Sequence, residues 1–146
     1  MTLTLPHPRH HATLFKGVTV ARAVAWVIDA GVTMLIAAFI VPLTAFAALL
    51  VMPFLLVAIN LAYRSATLAQ FSATPGMWLC GIEFRSTDGR RLDGFLAVAH
   101  TLCTLFTWTT VLPQIASCAL MLMHPQGRGL TDLLLGTVAI RRPERD

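Results

Sequence analysis

The feature that most limits how this chain can fold is a run from Ala21 to Val41 that is apolar almost throughout, with Arg22 at its mouth and Asp29 inside it. Two more apolar runs follow, Leu43 to Tyr63 and Phe95 to Met123. Inside a bilayer no water can satisfy an open carbonyl or N–H, so the backbone must close its own hydrogen bonds, and a helix of about 20 residues covers the hydrocarbon thickness. The expected fold class is all-α and polytopic, with three to four membrane helices and a small cytoplasmic β-hairpin or strand element. Composition agrees: hydrophobic residues make up 56% of the 146 and charged residues only 12%, which are not the proportions of a soluble domain.

The formal charge is +4. In a soluble domain that excess would raise nucleic acid as a partner, but here the Arg and Lys residues flank apolar runs, where they set orientation and touch anionic headgroups. The bilayer is therefore the expected partner, and nucleic acid is not. Cys80, Cys103 and Cys118 stand in no Cys-x-x-Cys or metal-ligand spacing and read as free thiols. No nucleophile elbow, phosphate loop, haem motif or ligand cluster is present, so neither enzyme catalysis, nor a cofactor, nor a metal is expected.

Residues 1–20 hold Pro6, Pro8, His7, His10, His11, Arg9 and Lys16 without helical periodicity and read as a cytoplasmic tail; a solvated terminus and a metal-binding histidine run both fit it. Ala45-Phe46-Ala47 has the small-x-small pattern of a signal-peptide cleavage site. Asp29, the length of the run before it and the second run at once after it argue against cleavage. Pro53 is expected to kink the second span, and a tight hairpin after Pro42 to join the two. Between Arg64 and Gly94, Thr74-Pro75-Gly76 turns the chain, and Asp88-Gly89 predicts a hairpin between Leu79–Phe84 and Arg90–Asp93. Gly136–Ile140 is too short to span and rich in strand formers, hence a candidate third strand pairing with Gly81–Phe84. The third apolar run, interrupted by Pro113 and Gln114, is either one long tilted helix or two short limbs broken near Pro113.

Basic residues choose between those two. Arg9, Lys16 and Arg22 precede the first span, Arg64, Arg85, Arg90 and Arg91 lie between the second and third, and Arg128, Arg141, Arg142 and Arg145 follow the third. All three groups belong on the cytoplasmic side, which requires an even number of crossings and favours the broken third run.

Arg22 and Asp29 lie seven residues apart and share one helix face, but about 10 Å of axial rise separates them and the Arg side chain leans toward the helix start. Direct pairing is not expected. A carboxylate within a span is costly, on the order of 2.5–3.5 kcal/mol, and by default marks a functional site. Because no Lys or Arg stands in the second or third run, the intramembrane partners expected for Asp29 are His100, Asn60, Thr33 and the hydroxyls of Thr101, Thr104, Thr107, Thr109 and Thr110. A carboxyl with no cation partner in low dielectric is a candidate to exchange a proton; a neutral group bonded across a helix interface fits equally.

Arg22 with Asp29 in the first span, Thr74-Pro75-Gly76 through Gly81 with Asp88-Gly89, and Gly129-Leu130-Thr131-Asp132 with Gly136-Thr137-Val138 together resemble the RDD family of small bacterial membrane proteins, named for one Arg and two Asp. The resemblance covers Thr19 to Arg142, and an RDD-type membrane domain is expected over 21–142 with a short tail at 143–146. It departs from the family pattern at Met77 and Thr131, positions often basic and His respectively. The resemblance implies that Arg22, Asp29 and Asp132 are the family's functional residues and that Arg22 meets Asp132 in a clamp. It also implies a multi-pass protein of the bacterial inner membrane that transports a small ion or solute, cation and proton exchange being the sharpest version. An accessory role beside another membrane complex is the alternative. So small a bundle leaves scant room for a path, so transport implies a homo-oligomer.

Overall fold

Along the first helix, α1 (Val18–Leu43), the buried residues are Val18, Ala21, Ala25, Asp29, Thr33, Ala37 and Val41. They form one stripe at spacings of three and four, mostly of small residues, the arrangement by which membrane helices approach closely. Val24, Val27, Met34, Leu35 and Phe39 on its other faces are exposed: the outside is apolar and the polar groups point inward. The computed structural model describes residues 12–142. The histidine run at His7, His10 and His11, read as a solvated terminus or a metal-binding run, lies outside the described residues.

α1 starts three residues earlier than expected, at Val18. A turn in which Ala45 and Phe46 take positive φ leads through a short 3-10 segment, Ala47–Val51, into α2 (Met52–Phe71). Pro53 stands inside the apolar span Ala47–Phe71, at the change from the 3-10 segment to the α-helix. It occupies the first turn of α2, where its missing N–H leaves no carbonyl unpaired. At its far end α2 continues eight residues past Tyr63, so Arg64 is a helical residue rather than the first of a loop.

Thr74 then caps α3 (Pro75–Leu79), its hydroxyl accepting from the Met77 N–H at 3.2 Å. Strand β1 (Ile82–Ser86) pairs antiparallel with β2 (Thr137–Arg141), Phe84 opposite Ala139. The strands expected to pair therefore do, while the hairpin across Asp88-Gly89 does not form a second ladder. Its return limb is drawn elsewhere: the Leu92 side chain is buried, its N–H donates to Ser72 Oγ at 3.0 Å, and Asp93 caps α4 through the Leu96 N–H. The free side of β1 is met by the Ser72 carbonyl, which accepts from the Phe84 N–H.

α4 (Gly94–Thr109) and α5 (Val111–Met123) are bent by 114° at Thr110. The break falls three residues before Pro113, for a local reason: an unbroken helix would need a Pro113 N–H to bond the Thr109 carbonyl, and the ring would strike it. Each limb is shorter than the hydrocarbon thickness, about 24 and 20 Å. The structure thus has two helices long and apolar enough to cross a membrane, with α4 and α5 as a bent pair. After α6 (Leu130–Leu135) the chain returns to β2, and the β1–β2 pairing brings the segments before α4 and after α5 to one end of the molecule. The start of α1 lies there too, Arg141 Nε donating to the Lys16 carbonyl at 3.1 Å. The hydrophobic core sits at that same end, among Val18, Leu68, Met77, Ile82, Phe84 and Leu92.

Candidate functional site

Asp132, wholly buried, is placed by the first turn of α6, where its own carboxylate accepts from the Gly129 N–H at 3.0 Å. The same oxygen, Oδ2, accepts from Arg22 Nη1 at 2.5 Å, while Oδ1 lies 3.0 Å from His100 Nε2 and accepts from Thr137 Oγ1 at 3.2 Å. α1, α4, α6 and β2 are thereby tied to one carboxyl group. Burial pushes this carboxyl up, but the Arg22 guanidinium and the His100 ring outweigh burial and hold it well below the usual carboxylate range. Arg22 also donates to the Gly127 carbonyl at 3.2 Å and lies over the Phe84 ring, 5.1 Å from its centroid.

Asp29 is held differently. Its carboxylate accepts from Tyr63 OH at 2.9 Å, from Thr74 Oγ1 at 2.5 Å and from the Gly76 N–H at 2.9 Å. All three donors are neutral, and two belong to the Thr74-Pro75-Gly76 turn. Glycine is required there because a Cβ at position 76 would collide with the Ala25 carbonyl and stand 2.7 Å from Asp29 Oδ1. None of the expected partners reaches this carboxylate. His100 goes to Asp132, Thr33 Oγ1 donates to the backbone carbonyl of Asp29 at 2.9 Å, and no side-chain bond from Asn60 reaches it among the described residues.

Sequence reading missed Tyr63, Thr74 and Gly76 as partners of Asp29, although Thr-Pro at a helix start is a cap signature that places the hydroxyl. It also missed Arg64, whose side chain α2 places on the same cavity as Arg22 and Asp29. Arg64 Nε is buried and without a hydrogen-bond partner among the described residues.

These groups edge a cavity of about 550 Å³ bounded by α1, α4 and α5. Arg22, Asp29 and Arg64 supply its charges, and Trp26 and Trp108, stacked with centroids 4.5 Å apart, bridge α1 to α4. Most of the remaining lining is apolar. Among the described residues no three His, Cys, Asp or Glu side chains are placed to hold a metal ion.

The RDD family model matches residues 17–136. The chain belongs to the RDD family. No curated protein and no solved structure matches it. In this RDD protein Arg22, Asp29 and Asp132, the three residues that the resemblance nominates, all stand near the end of the molecule that holds the core, but they form two sites: an Arg22–Asp132 ion pair, and Asp29 bound to the Thr-Pro-Gly turn.

Proposed function

We propose that this RDD protein transports a small solute through the cavity between α1 and the α4–α5 pair. The observation that carries this reading is the cavity itself, an apolar cleft lined also by Arg22, Asp29 and Arg64, charged groups otherwise costly in lipid. Lys16, Arg22, Arg85, Arg128, Arg141 and Arg142 gather at the end of the molecule that carries the sheet, which supports a cytoplasmic placement of that end in a bacterial inner membrane. With that placement α4 and α5 dip into the bilayer and return, and a homo-oligomer would complete a path. Cation or proton exchange would run through Asp29. The three donors already on its carboxylate weigh against that version.

Reconstituted protein tests the reading. Vesicles with entrapped dyes for H⁺, Na⁺ and K⁺, and vesicles carrying a fluorescent acidic phospholipid whose transbilayer movement is followed, should show movement in at least one assay, and Ala23→Phe at the cavity mouth should reduce it. Folded protein that moves none of these sinks the ion and lipid versions of the transport reading and favours the accessory role.

A further inference from the structure

We infer that the cavity is a lateral binding site for an anionic amphiphile taken from the bilayer, its acidic headgroup held by Arg64 and its apolar part lying past Val27 and Leu122. As a statement about cargo this rests on the transport reading; as a statement about binding it stands alone.

Hydrogen-bonding capacity fixes the sign of the ligand. The Asp132 carboxylate already receives four contacts and that of Asp29 three, against about four acceptor positions on a carboxylate. Little is left for a cation or for a ligand that donates. Arg22 is engaged by Asp132 and by the Gly127 carbonyl. Arg64 has no ion pair among the described residues, and its Nε is buried without a partner. A guanidinium presents five N–H donors in a planar fork that matches a phosphate or carboxylate. Arg64 lines this apolar cleft with no ion pair among the described residues, so an anion entering it would meet the terminal N–H groups of the guanidinium.

The shape of the cleft fixes the rest of the ligand. Of the residues lining it, Val27 on α1 is 62% exposed and Leu122 on α5 is 79% exposed. The cleft therefore opens sideways between two apolar helix faces, toward acyl chains, rather than only toward water. Trp26 and Trp108, each partly exposed, stand at the opening as flat apolar walls. A fully soluble anion would leave this apolar lining wet; an acidic lipid covers it while its headgroup meets Arg64.

The two cavity tryptophans supply the measurement. In a Trp78→Phe background only Trp26 and Trp108 remain of the three tryptophans. The protein is reconstituted in phosphatidylcholine vesicles containing either phosphatidylglycerol with brominated acyl chains or, at matched mole fraction, brominated phosphatidylcholine. Contact quenching should be greater with the acidic lipid. Arg64→Gln should weaken the excess by roughly tenfold in apparent affinity, the loss of one charge-assisted contact, and Arg64→Lys should keep part of it. Should Arg64→Gln fail to fold, Ala23→Phe, at an exposed position lining the cavity, should remove the excess by filling the cleft. Equal quenching by both lipids in the unsubstituted chain overturns the proposal, as does displacement of the brominated acidic lipid by millimolar inorganic phosphate alone, which would make the ligand a soluble anion. Selective quenching in a protein that moves no lipid keeps the site and sinks only the transport reading.

Discussion

Asp132 and Asp29 are both buried carboxylates near one end of the same helical unit, and the protein stabilises them by opposite means. Asp132 sits at the junction of four elements and is met by a full cation, a ring nitrogen, a hydroxyl and a backbone N–H. Asp29 lies within a spanning helix and is met by two hydroxyls and a backbone N–H. Where an ion pair holds two segments, losing either partner strands a charge. Where neutral dipoles hold a carboxylate, much of the pattern survives loss of the charge. The comparison assigns Arg22 and Asp132 to holding the C-terminal segment onto α1, and Asp29 to seating the Thr74-Pro75-Gly76 turn, with Arg64 on the same cavity and without an ion pair among the described residues.

The largest expected effect tests the ion pair. Arg22→Ala and Asp132→Ala should each cost about 3–5 kcal/mol, because each leaves a charge out of water without its partner. The double substitution should cost less than the two together. Equilibrium unfolding in detergent, with folded yield in membranes as a second readout, measures the cycle. Strictly additive losses would break the contrast between the two carboxylates at its strong end.

Acid should erode the same contribution. The folded-state Asp132 carboxyl is held below its ordinary value of 3.8, so the stability it confers is complete above that value and is lost as pH falls below it toward the folded-state pKa. The groups facing it are Arg22 from α1, His100 from α4 and Thr137 from β2, with Arg128 bonding the Asp132 backbone carbonyl. In a His100→Gln background, where the imidazole cannot titrate, the stability difference between Asp132 and Asp132→Asn should be flat from pH 7 to about 5 and shrink below about 4. A difference that shrinks already between pH 7 and 6 would show that Arg22 does not hold the carboxyl ionised.

A smaller loss belongs to the fit around Asp29. Gly76→Ala pushes a methyl group against the Ala25 carbonyl and Asp29 and should cost about 1–3 kcal/mol, the usual range for overpacking. Gly31→Ala on α1 is the control: nothing lies within 4 Å of its added Cβ, and helix propensity should raise stability by about 1 kcal/mol or less. Equal effects of the two in thermal unfolding would mean that the Thr-Pro-Gly turn is not pressed against α1.

The long helices and the pairing of β1 with β2 were readable because their signals are local: apolar runs of spanning length, and short β-branched segments bounded by glycine turns. The ionic partner of Arg22 came from the family pattern, not from spacing. What local signals could not give was the ownership of polar groups across distance. Thr74 stands 45 positions from Asp29 and Asp132 stands 32 from His100, so the assignment of His100 to Asp29 failed as soon as the sheet pulled α6 beside α4. Arg64 was misread for a different reason. A cation after an apolar run looks like the end of a span, but a helix can continue and turn that cation into a cavity, and hydropathy does not distinguish the two. The hairpin expected across Asp88-Gly89 lost to tertiary demand, since burying Leu92 and capping α4 with Asp93 used the limb that would have paired.

The smallest expected effect is the most informative about Asp29. Asp29→Asn preserves the shape and one carbonyl oxygen, so Tyr63 and the Gly76 N–H keep an acceptor on the Oδ1 side. The new amide faces Thr74, whose hydroxyl can rotate to accept instead of donating. The cost should be about 1 kcal/mol, that of exchanging a charge-assisted hydrogen bond for a neutral one, and abundance in membranes should be spared. If Asp29 seats the turn and Arg64 meets the cargo, movement of the fluorescent acidic lipid in reconstituted vesicles should survive Asp29→Asn and be lost in Arg64→Gln. Unchanged abundance with loss of all proton-coupled movement in Asp29→Asn would reverse the roles, making Asp29 the exchanging group despite its three donors and reducing Arg64 to a counter-charge beside it.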